Sequence, residues 1–225
     1  MKDSIVNRVY NIMKVDTNDI HLPTSMKLEL SAVCNHKCSY CVVPHLKTIE
    51  RFMSEKVFYK AIDEAKRIGI KEIGLFHMGE GTLHPMFCKM VEEIPSDFDV
   101  FITTNGTQYD KMEYLVEYGI KSLKVSLNGY SREKHKEVTG IDTFDLIINN
   151  LKRLVKYRNE IHSPTQISAS SIFYNCDEQE AFAKEITKIV DCYYYTEIFA
   201  PCQVNLSRSF TIVKFFERIR EKGTY

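Results

Sequence analysis

The sequence of 225 residues has no excess of charge of either sign and no long apolar run. Thirty basic residues balance thirty acidic residues, which gives no indication of a nucleic-acid or membrane-surface partner. No uninterrupted apolar stretch approaches the roughly 18 residues of a membrane span, and residues 1–4 lack the apolar core of a secretory signal. Seven cysteines, an odd number, fit a reducing cytoplasm better than a disulfide framework. We therefore expect a cytoplasmic protein.

The sequence also lacks low-complexity segments, Gly/Ser-rich linkers and close repeats. Instead, β-branched runs alternate with amphipathic stretches. Strands are predicted at 27–33, 72–76, 100–104, 122–127, 165–173 and 193–199, and helices at 54–68, 86–94, 107–118, 143–159, 178–189 and 208–222. Six such β–α units predict a parallel sheet with right-handed crossovers. Six are too few for a closed eight-fold barrel, and a doubly wound sheet accommodates six strands equally well.

Three cysteines lie within eight residues, directly after the first predicted strand: Cys34, Cys38 and Cys41. Thiolates are soft ligands that select zinc, copper(I) or iron–sulfur clusters. Structural zinc sites have four protein ligands, and ordinary cubane clusters have four cysteines. Three cysteines on one tight loop therefore indicate a four-iron cluster with one iron open to a non-protein ligand. Alternatives are a zinc knuckle completed by His36 or a distant histidine, and a group of reduced core cysteines.

With Tyr40 as the aromatic residue before the third cysteine, this motif resembles that of the radical S-adenosylmethionine (AdoMet, or SAM) superfamily. The resemblance implies a partial (β/α)6 TIM-like barrel of parallel strands. It implies a [4Fe-4S] cluster on the three cysteines, with AdoMet on the open iron. It further implies reductive cleavage of AdoMet to a 5′-deoxyadenosyl radical, which abstracts hydrogen from a small-molecule or peptide substrate. A flavodoxin or ferredoxin would supply the electron, and Tyr40 would lie beside the cofactors.

Two turns after predicted strands are similar to further motifs of this family. Met78-Gly79-Glu80 follows the second strand and resembles the Gly-Gly-Glu motif, with Met78 in place of the first glycine. Glycine permits close backbone approach, and a carboxylate accepts charge-assisted hydrogen bonds, so Gly79 and Glu80 are expected to receive the ammonium of AdoMet. Asn105-Gly106 follows the third strand. Asn105 is expected to reach the ribose or the substrate, although Asn-Gly is also a general turn signal.

The fourth strand carries three polar residues on one face. Period-two alternation places Lys124, Ser126 and Asn128 together, whereas a strand in an α/β fold is usually apolar on both faces. A lumen that binds a charged ligand explains this pattern; an edge strand with one solvated face is the alternative. Ser126 is similar to the AdoMet-contacting serine of the family, and Asn128 is expected to contact the ribose or the substrate.

The fifth and sixth strands supply the remaining expected contacts. Ser168 and Ser170 lie in step on one face of the fifth strand. They are expected either to hydrogen-bond the AdoMet carboxylate or to leave room for the ligand. On the sixth strand, Ile198 is expected to make an apolar contact with adenine, although aromatic runs such as the one before it are commonly core. No catalytic side chain beyond the cluster is assigned.

The expected organisation is an N-terminal helix and arm at 1–25, a radical AdoMet core at 26–203 and a C-terminal helix at 204–225. The lead into the first cysteine, Leu28-Glu29-Leu30-Ser31-Ala32-Val33, resembles the branch of molybdopterin-precursor cyclases and peptide-modifying (SPASM-type) enzymes. Members of that branch often carry a C-terminal cysteine-rich domain, but no cysteine follows Cys202. A second cluster would have to use the remaining cysteines, which lack a short C-x2-C pair: Cys88, Cys176, Cys192 and Cys202.

Three other functions remain open from the sequence. A glycyl-radical activase would act on a large protein partner. A truncated radical AdoMet protein would fold without activity. A zinc-stabilised binding module would have no catalytic role.

Overall fold

Six parallel strands form one sheet, and their order in the sheet is their order in the chain. The structure is a computed structural model that describes residues 23–45 and 52–196. The strands are β1 (Ser25–Lys27), β2 (Glu72–Leu75), β3 (Asp99–Thr104), β4 (Ser122–Ser126), β5 (Gln166–Ile172) and β6 (Cys192–Thr196). A doubly wound sheet reverses its strand order at a switch point, and this sheet does not. The order therefore confirms the partial (β/α)6 barrel.

The helices follow the predicted alternation, with one addition. In the described residues they are α1 (Glu55–Arg67), α2 (Phe87–Glu92), α3 (Tyr109–Tyr118), α4 (Arg132–Thr139), α5 (Phe144–Glu160) and α6 (Asp177–Ile186). Short 3-10 turns lie at Val43–His45 and Gly81–Leu83. The Ser54 side chain caps α1 by accepting from the Val57 N–H, and Gly119 ends α3 in the left-handed conformation. None of the described helices has the length and apolar character of a membrane span.

Two elements differ from the sequence-based prediction. The first strand is shorter and earlier than the predicted 27–33. The Leu28 N–H still bonds to the Gly74 carbonyl, but Leu30 then pairs with Met53, outside the sheet. Helix α4 was not predicted because its sequence, REKHKEVT, has no apolar stripe. It is instead buried through His135, Val138 and Thr139.

The apolar core fills the space between the sheet and the helices. Leu123 and Val125 of β4 are fully buried there, as are Ile147, Leu151 and Leu154 of α5. The opposite face of the sheet, called here the lumen face, carries the polar residues of β4. The predicted alternation along β4 is therefore confirmed. Ile198, nearly all of the arm at 1–25, Cys202 and the helix at 204–225 lie outside the described residues.

An ion pair joins α5 to the β5–β6 side of the sheet. The guanidinium of Arg158 donates to both carboxylate oxygens of Asp191, and also to the Thr165 carbonyl at 3.0 Å. Asp191 accepts in addition from the Ile167 N–H at 2.8 Å. The Arg158 side chain is only 14% exposed. Asp191 is therefore the counter-ion that compensates the burial of its positive charge.

We expect the Asp191→Ala substitution to lower the free energy of unfolding by roughly 2–4 kcal/mol, because it leaves a mostly buried guanidinium without a counter-ion. Asp99→Ala is the matched control, since Asp99 pairs with Lys121 at 3.5 Å on the exposed surface. Its expected loss is within about 0.5 kcal/mol. Urea unfolding followed by circular dichroism measures both values. Equal losses in the two variants would contradict the assignment.

Candidate active site

The cysteine loop, residues 31–42, is held by the end of helix α4. The Lys37 N–H donates to the Thr139 carbonyl at 2.9 Å, and the Ser39 N–H donates to the Val138 carbonyl at 2.8 Å. The last carbonyls of a helix have no partner within the helix, so loop and helix end satisfy each other. Gly129 allows α4 to lie this close to β4, because a Cβ at position 129 would overlap the His135 backbone. The helix missed by sequence reasoning thus positions the predicted metal ligands.

Each of the three cysteine sulfurs accepts an N–H donor. The backbone N–H groups of His36 and Val43 lie 3.4 Å from the sulfurs of Cys34 and Cys41, respectively. Side-chain amides add two longer contacts of 4.0 Å, from Asn105 to Cys34 and from Asn128 to Cys38. Hydrogen bonds of this kind favour sulfur in its anionic, metal-bound form.

The thiols are partly buried and lie close enough to affect one another electrostatically. Burial, followed by the neighbouring Cys34 and Cys41 thiols, raises the pKa of Cys38 to about 11. Burial also raises the pKa of Cys34. A hydrogen bond with Tyr40 acts in the opposite direction and lowers the pKa of Cys38, which places the predicted aromatic residue against the ligand set. Metal ligation deprotonates thiols and removes the repulsion between thiolates, so this loop is suited to a positively charged metal group.

The donor set fits a cluster better than a single ion. In the described residues, no three His, Cys, Asp or Glu side chains are close enough together to hold one metal ion. A zinc site requires such convergence, whereas the cysteines of a [4Fe-4S] cluster bind different irons. His36, the histidine of the zinc alternative, contacts the Thr143 hydroxyl through Nε2, and its Nδ1 is buried without a hydrogen-bond partner among the described residues. The loop therefore fits a [4Fe-4S] cluster held by Cys34, Cys38 and Cys41.

The other described cysteines lie elsewhere in the fold. Cys88 is on α2 and accepts from the Lys111 ammonium at 3.5 Å, and Cys192 is on β6 and accepts from the Gln166 amide at 3.5 Å. Cys176 precedes α6. These positions give the hypothesis of a second cluster no support within the described residues.

Gly79 is packed against the lead into the cysteine loop. A Cβ at this position would overlap the carbonyl oxygen of Ser31. The adjacent Glu80 N–H donates to the Val33 carbonyl at 2.8 Å. The carboxylate of Glu29 accepts from the N–H groups of Met78 and Gly79, both at 3.0 Å. The glycine thus permits contact between two protein backbones, while its predicted contact with AdoMet stays a prediction. The sequence analysis does not select Glu29. The usable signal is that Lys27 and Glu29, two residues apart, place two charged side chains on one face of the predicted strand.

The carboxylate of Glu80 is used by the protein itself. It accepts from the N–H and hydroxyl of Thr82, from the Thr104 hydroxyl at 2.7 Å and from the Asn105 N–H at 2.6 Å. Three of these donors reach Oε1 and one reaches Oε2, and the Glu80 side chain is 3% exposed. Glu80 thereby joins the β2 turn to the end of β3, and its expected contact with the AdoMet ammonium stays a prediction.

Asn105 connects the end of β3 to the cysteine loop. Its side-chain oxygen accepts from the N–H and hydroxyl of Thr107, which fixes the orientation of the amide. The amide nitrogen therefore points toward the loop, where it contacts Asn35 as well as Cys34. Asn35, which sequence reasoning did not select, also donates to Thr107 at 2.9 Å. The predicted contact of Asn105 with ribose or substrate stays a prediction.

The β4–β5 wall presents small hydroxyl groups to the lumen. Ser126 pairs in register with Ser170, and Lys124 pairs with Ser168. Ser168 and Ser170 are each 4% exposed. Asn128, at the end of this wall, has a positive φ of 61°, and this unusual backbone conformation aims its amide at Cys38. The predicted residues of β4 and β5 are thus neighbours, and their contacts with AdoMet stay predictions.

A chain of hydrogen bonds supports the cysteine loop from behind. The Leu127 carbonyl can only accept, so His135 carries its proton on Nδ1 and accepts from the Thr143 hydroxyl on Nε2. The Thr143 oxygen then accepts from the Nε2–H of His36 at 3.2 Å. Burial, followed by the effect of His135, lowers the pKa of His36 to about 4, so the His36 ring is neutral. Burial also lowers the pKa of His135. His135 and Thr143 lie about a hundred residues from the motif, and no sequence signal connected them to it.

We expect Gly79→Ala to destabilise the site strongly, because the new Cβ would force the β2 turn away from Ser31. Gly81→Ala is the matched control: a Cβ there would be 3.5 Å from the Leu75 carbonyl, an ordinary contact. The expected loss is roughly 2–4 kcal/mol of unfolding free energy for Gly79→Ala and under about 1 kcal/mol for the control. Urea unfolding and iron retention after reconstitution measure the effect. Similar values for the two variants would contradict this packing role.

Comparisons with known proteins show the family to which the chain belongs. Residues 28–166 match the family model of the radical SAM superfamily. The chain is 32% identical over 135 residues to a probable GTP 3′,8-cyclase of Pyrococcus horikoshii, covering 59% of this chain and 43% of that protein. It is 31% identical over 144 residues to a tungsten-containing aldehyde ferredoxin oxidoreductase cofactor-modifying protein of Pyrococcus furiosus, covering 61% of this chain and 40% of that one. The matched regions thus span less than half the length of these curated relatives.

A solved structure of another protein has a similar fold. The structure of Streptococcus suis SuiB bound to its precursor peptide SuiA covers 85% of this chain, and the matched part is 43% of SuiB, with a TM-score of 0.61 at 18% identity. At this identity the likeness concerns the fold alone. Together with the family match over more than half of the chain, it supports one assignment. The chain belongs to the radical SAM superfamily, whose members are enzymes that use a [4Fe-4S] cluster and S-adenosylmethionine.

Proposed function

We propose that Cys34, Cys38 and Cys41 bind the [4Fe-4S] cluster of a radical AdoMet enzyme that abstracts hydrogen from a small-molecule substrate. When bound, cluster and AdoMet supply one-electron cleavage of the S–C5′ bond, which yields methionine and a 5′-deoxyadenosyl radical. A flavodoxin or ferredoxin supplies the electron. The observation that carries this proposal is the set of N–H donors aimed at the three sulfurs from the loop, from β3 and from the end of β4.

The protein contributes binding, orientation and protection to this chemistry. The β2 turn lies against the cysteine loop through Gly79 and Glu80, and its backbone is the proposed contact for the AdoMet ammonium. The hydroxyls of Ser126, Ser168 and Ser170 face the lumen and are proposed to bind the polar groups of AdoMet. A rigid sheet that carries these groups can hold one substrate hydrogen beside the reactive carbon, which limits side reactions.

A small-molecule substrate is favoured by the names of the relatives. A GTP cyclase and a cofactor-modifying protein share about a third of their residues with this chain over the aligned regions. The similarity to peptide-bound SuiB rests on 18% identity and gives a peptide substrate less support. A glycyl-radical activase remains the alternative within the superfamily, with a large protein as its partner.

We expect alanine at Cys34, Cys38 or Cys41 to abolish the cluster, because each cysteine ligates a different iron. After anaerobic reconstitution, the wild-type protein should hold about four irons per chain and release 5′-deoxyadenosine when reduced with dithionite. The loop variants should lose both properties. Cys176→Ala and Cys192→Ala are matched controls outside the loop and should keep the brown absorbance. A colourless wild-type protein with stoichiometric zinc would contradict the proposal.

We expect Asn128→Gly to lower the midpoint potential of the cluster by tens of millivolts, because hydrogen bonds to cluster sulfurs stabilise the more negative, reduced state. Glycine keeps the positive φ of 61° without strain and removes only the amide near Cys38. Asn175→Gly is a closely matched control, since Asn175 also has a positive φ, 51°, and is exposed. A redox titration followed by electron paramagnetic resonance measures the potentials. An unchanged potential in Asn128→Gly would show that the amide does not tune the cluster.

A further inference from the structure

Lys124 is a cation on the lumen face, outside the ligand set described above. Lys124 occupies the middle of β4, in register with Thr103 of β3 and Ser168 of β5. Its strand neighbours Leu123 and Val125 are fully buried beneath the helices. Because side chains alternate between the two faces of a strand, Lys124 extends from the opposite face, into the lumen.

Lys124 has no acidic partner among the residues that the structure describes. Burial lowers its pKa, and the like charge of Lys27 lowers it further, whereas no described carboxylate raises it. Lys27 itself lies over the ring of Phe76, 5.2 Å from its centroid. The two carboxylates at the β2 turn have protein partners: Glu29 accepts from the Met78 and Gly79 N–H groups, and Glu80 accepts four hydrogen bonds. Burying an ammonium group is unfavourable unless a counter-ion compensates it.

The surroundings of Lys124 contain the donors that an oxyanion requires. Thr103 and Ser168 flank it in register, and Ser126 and Ser170 lie one step along the same face. An ammonium group beside several hydroxyls matches the hydrogen-bonding needs of a carboxylate or phosphate.

The position of Lys124 along its strand separates two sources for such an anion. Lys124 precedes Ser126 by two residues and is therefore roughly 7 Å farther from the carboxyl ends of the strands. The cysteine loop lies at those ends, where the amine and carboxylate of AdoMet are expected to bind. An anion at Lys124 therefore lies deeper in the lumen than the methionine portion of AdoMet.

We propose that Lys124 binds the anionic group, a carboxylate or phosphate, of the substrate deep in the lumen. This inference rests on the proposed radical AdoMet function and narrows its substrate to an anionic small molecule. The site comprises the Lys124 ammonium and the hydroxyls of Thr103 and Ser168, with Lys27 adding positive potential from β1. It also accounts for a partly buried cation that the protein does not neutralise within its described residues.

The test uses the reconstituted protein with saturating AdoMet and inorganic phosphate as the probe. Thermal midpoints are measured over a phosphate series, against chloride at matched ionic strength. Ligand binding raises the midpoint with concentration, and the series gives an apparent phosphate affinity. In Lys124→Met, that affinity should fall about tenfold or more, a loss typical of a charge-assisted contact. The midpoint in chloride should rise, because an uncompensated charge has been removed.

Lys121→Met is the control for the general stabilising effect of phosphate, because Lys121 is exposed and pairs with Asp99. It should retain the full wild-type response. The inference is overturned if Lys124→Met keeps that response, or if its midpoint in chloride falls below that of the wild type. It is also overturned if both Lys124→Met and Lys124→Gln fail to fold. A lower midpoint or a failure to fold would each indicate a protein partner for Lys124.

Two further measurements separate the possible failures. If Lys124→Met weakens AdoMet binding tenfold while the phosphate response persists, the ammonium binds the carboxylate of AdoMet, and the inference is wrong. Release of 5′-deoxyadenosine by the wild-type protein is measured in parallel. Its absence would defeat the proposed function, whereas its presence with an unchanged phosphate response in Lys124→Met would defeat the substrate inference alone.

Discussion

The structure of the site depends on one constraint: an irregular loop that carries three thiols must have its backbone polar groups paired. Residues 31–42 form no helix or strand of their own apart from an isolated bridge at Ser31, and buried backbone groups without partners are costly. Backbone partners come from two neighbouring elements: helix α4 accepts from Lys37 and Ser39, and the β2 turn donates to Val33. The Asn105 side chain, which follows β3, adds contacts with the side chains of Cys34 and Asn35. Sequential strand order places these partners together, since the carboxyl ends of parallel strands lie at one edge.

Much of the fold could be predicted because it rests on local patterns. The apolar alternation of β4 and the helical spacing behind Ser54 place these two elements within one or two residues of their observed ends. Helix α4 escaped prediction because its only strongly apolar residue is Val138. It forms because its polar residues have specific partners, including the chain from His135 through Thr143 to His36. Such pairings depend on the fold, and composition alone does not encode them.

The motif residues were easier to predict than their contacts. Glu80 was identified from its place in a glycine-containing turn, and it is central to the site. Its carboxylate also joins Thr82, Thr104 and Asn105, and the motif alone does not indicate these contacts. A motif fixes which residue stands at a turn, whereas the neighbouring strand decides what its side chain meets. Glu29 shows the same dependence, because its role requires the β2 turn to lie beside it.

The distribution of charge around the lumen follows from these pairings. The carboxylates of Glu29 and Glu80 are used by protein N–H and hydroxyl groups, and therefore hold the turns in place. Lys124, Ser126, Ser168 and Ser170 face the lumen from β4 and β5, and their ammonium and hydroxyl groups can all donate hydrogen bonds. The protein thus uses its acceptors internally and presents donors to the interior. A ligand that complements such a surface must bring hydrogen-bond acceptors. A negatively charged group on that ligand would be the counter-ion that Lys124 does not find among the described residues.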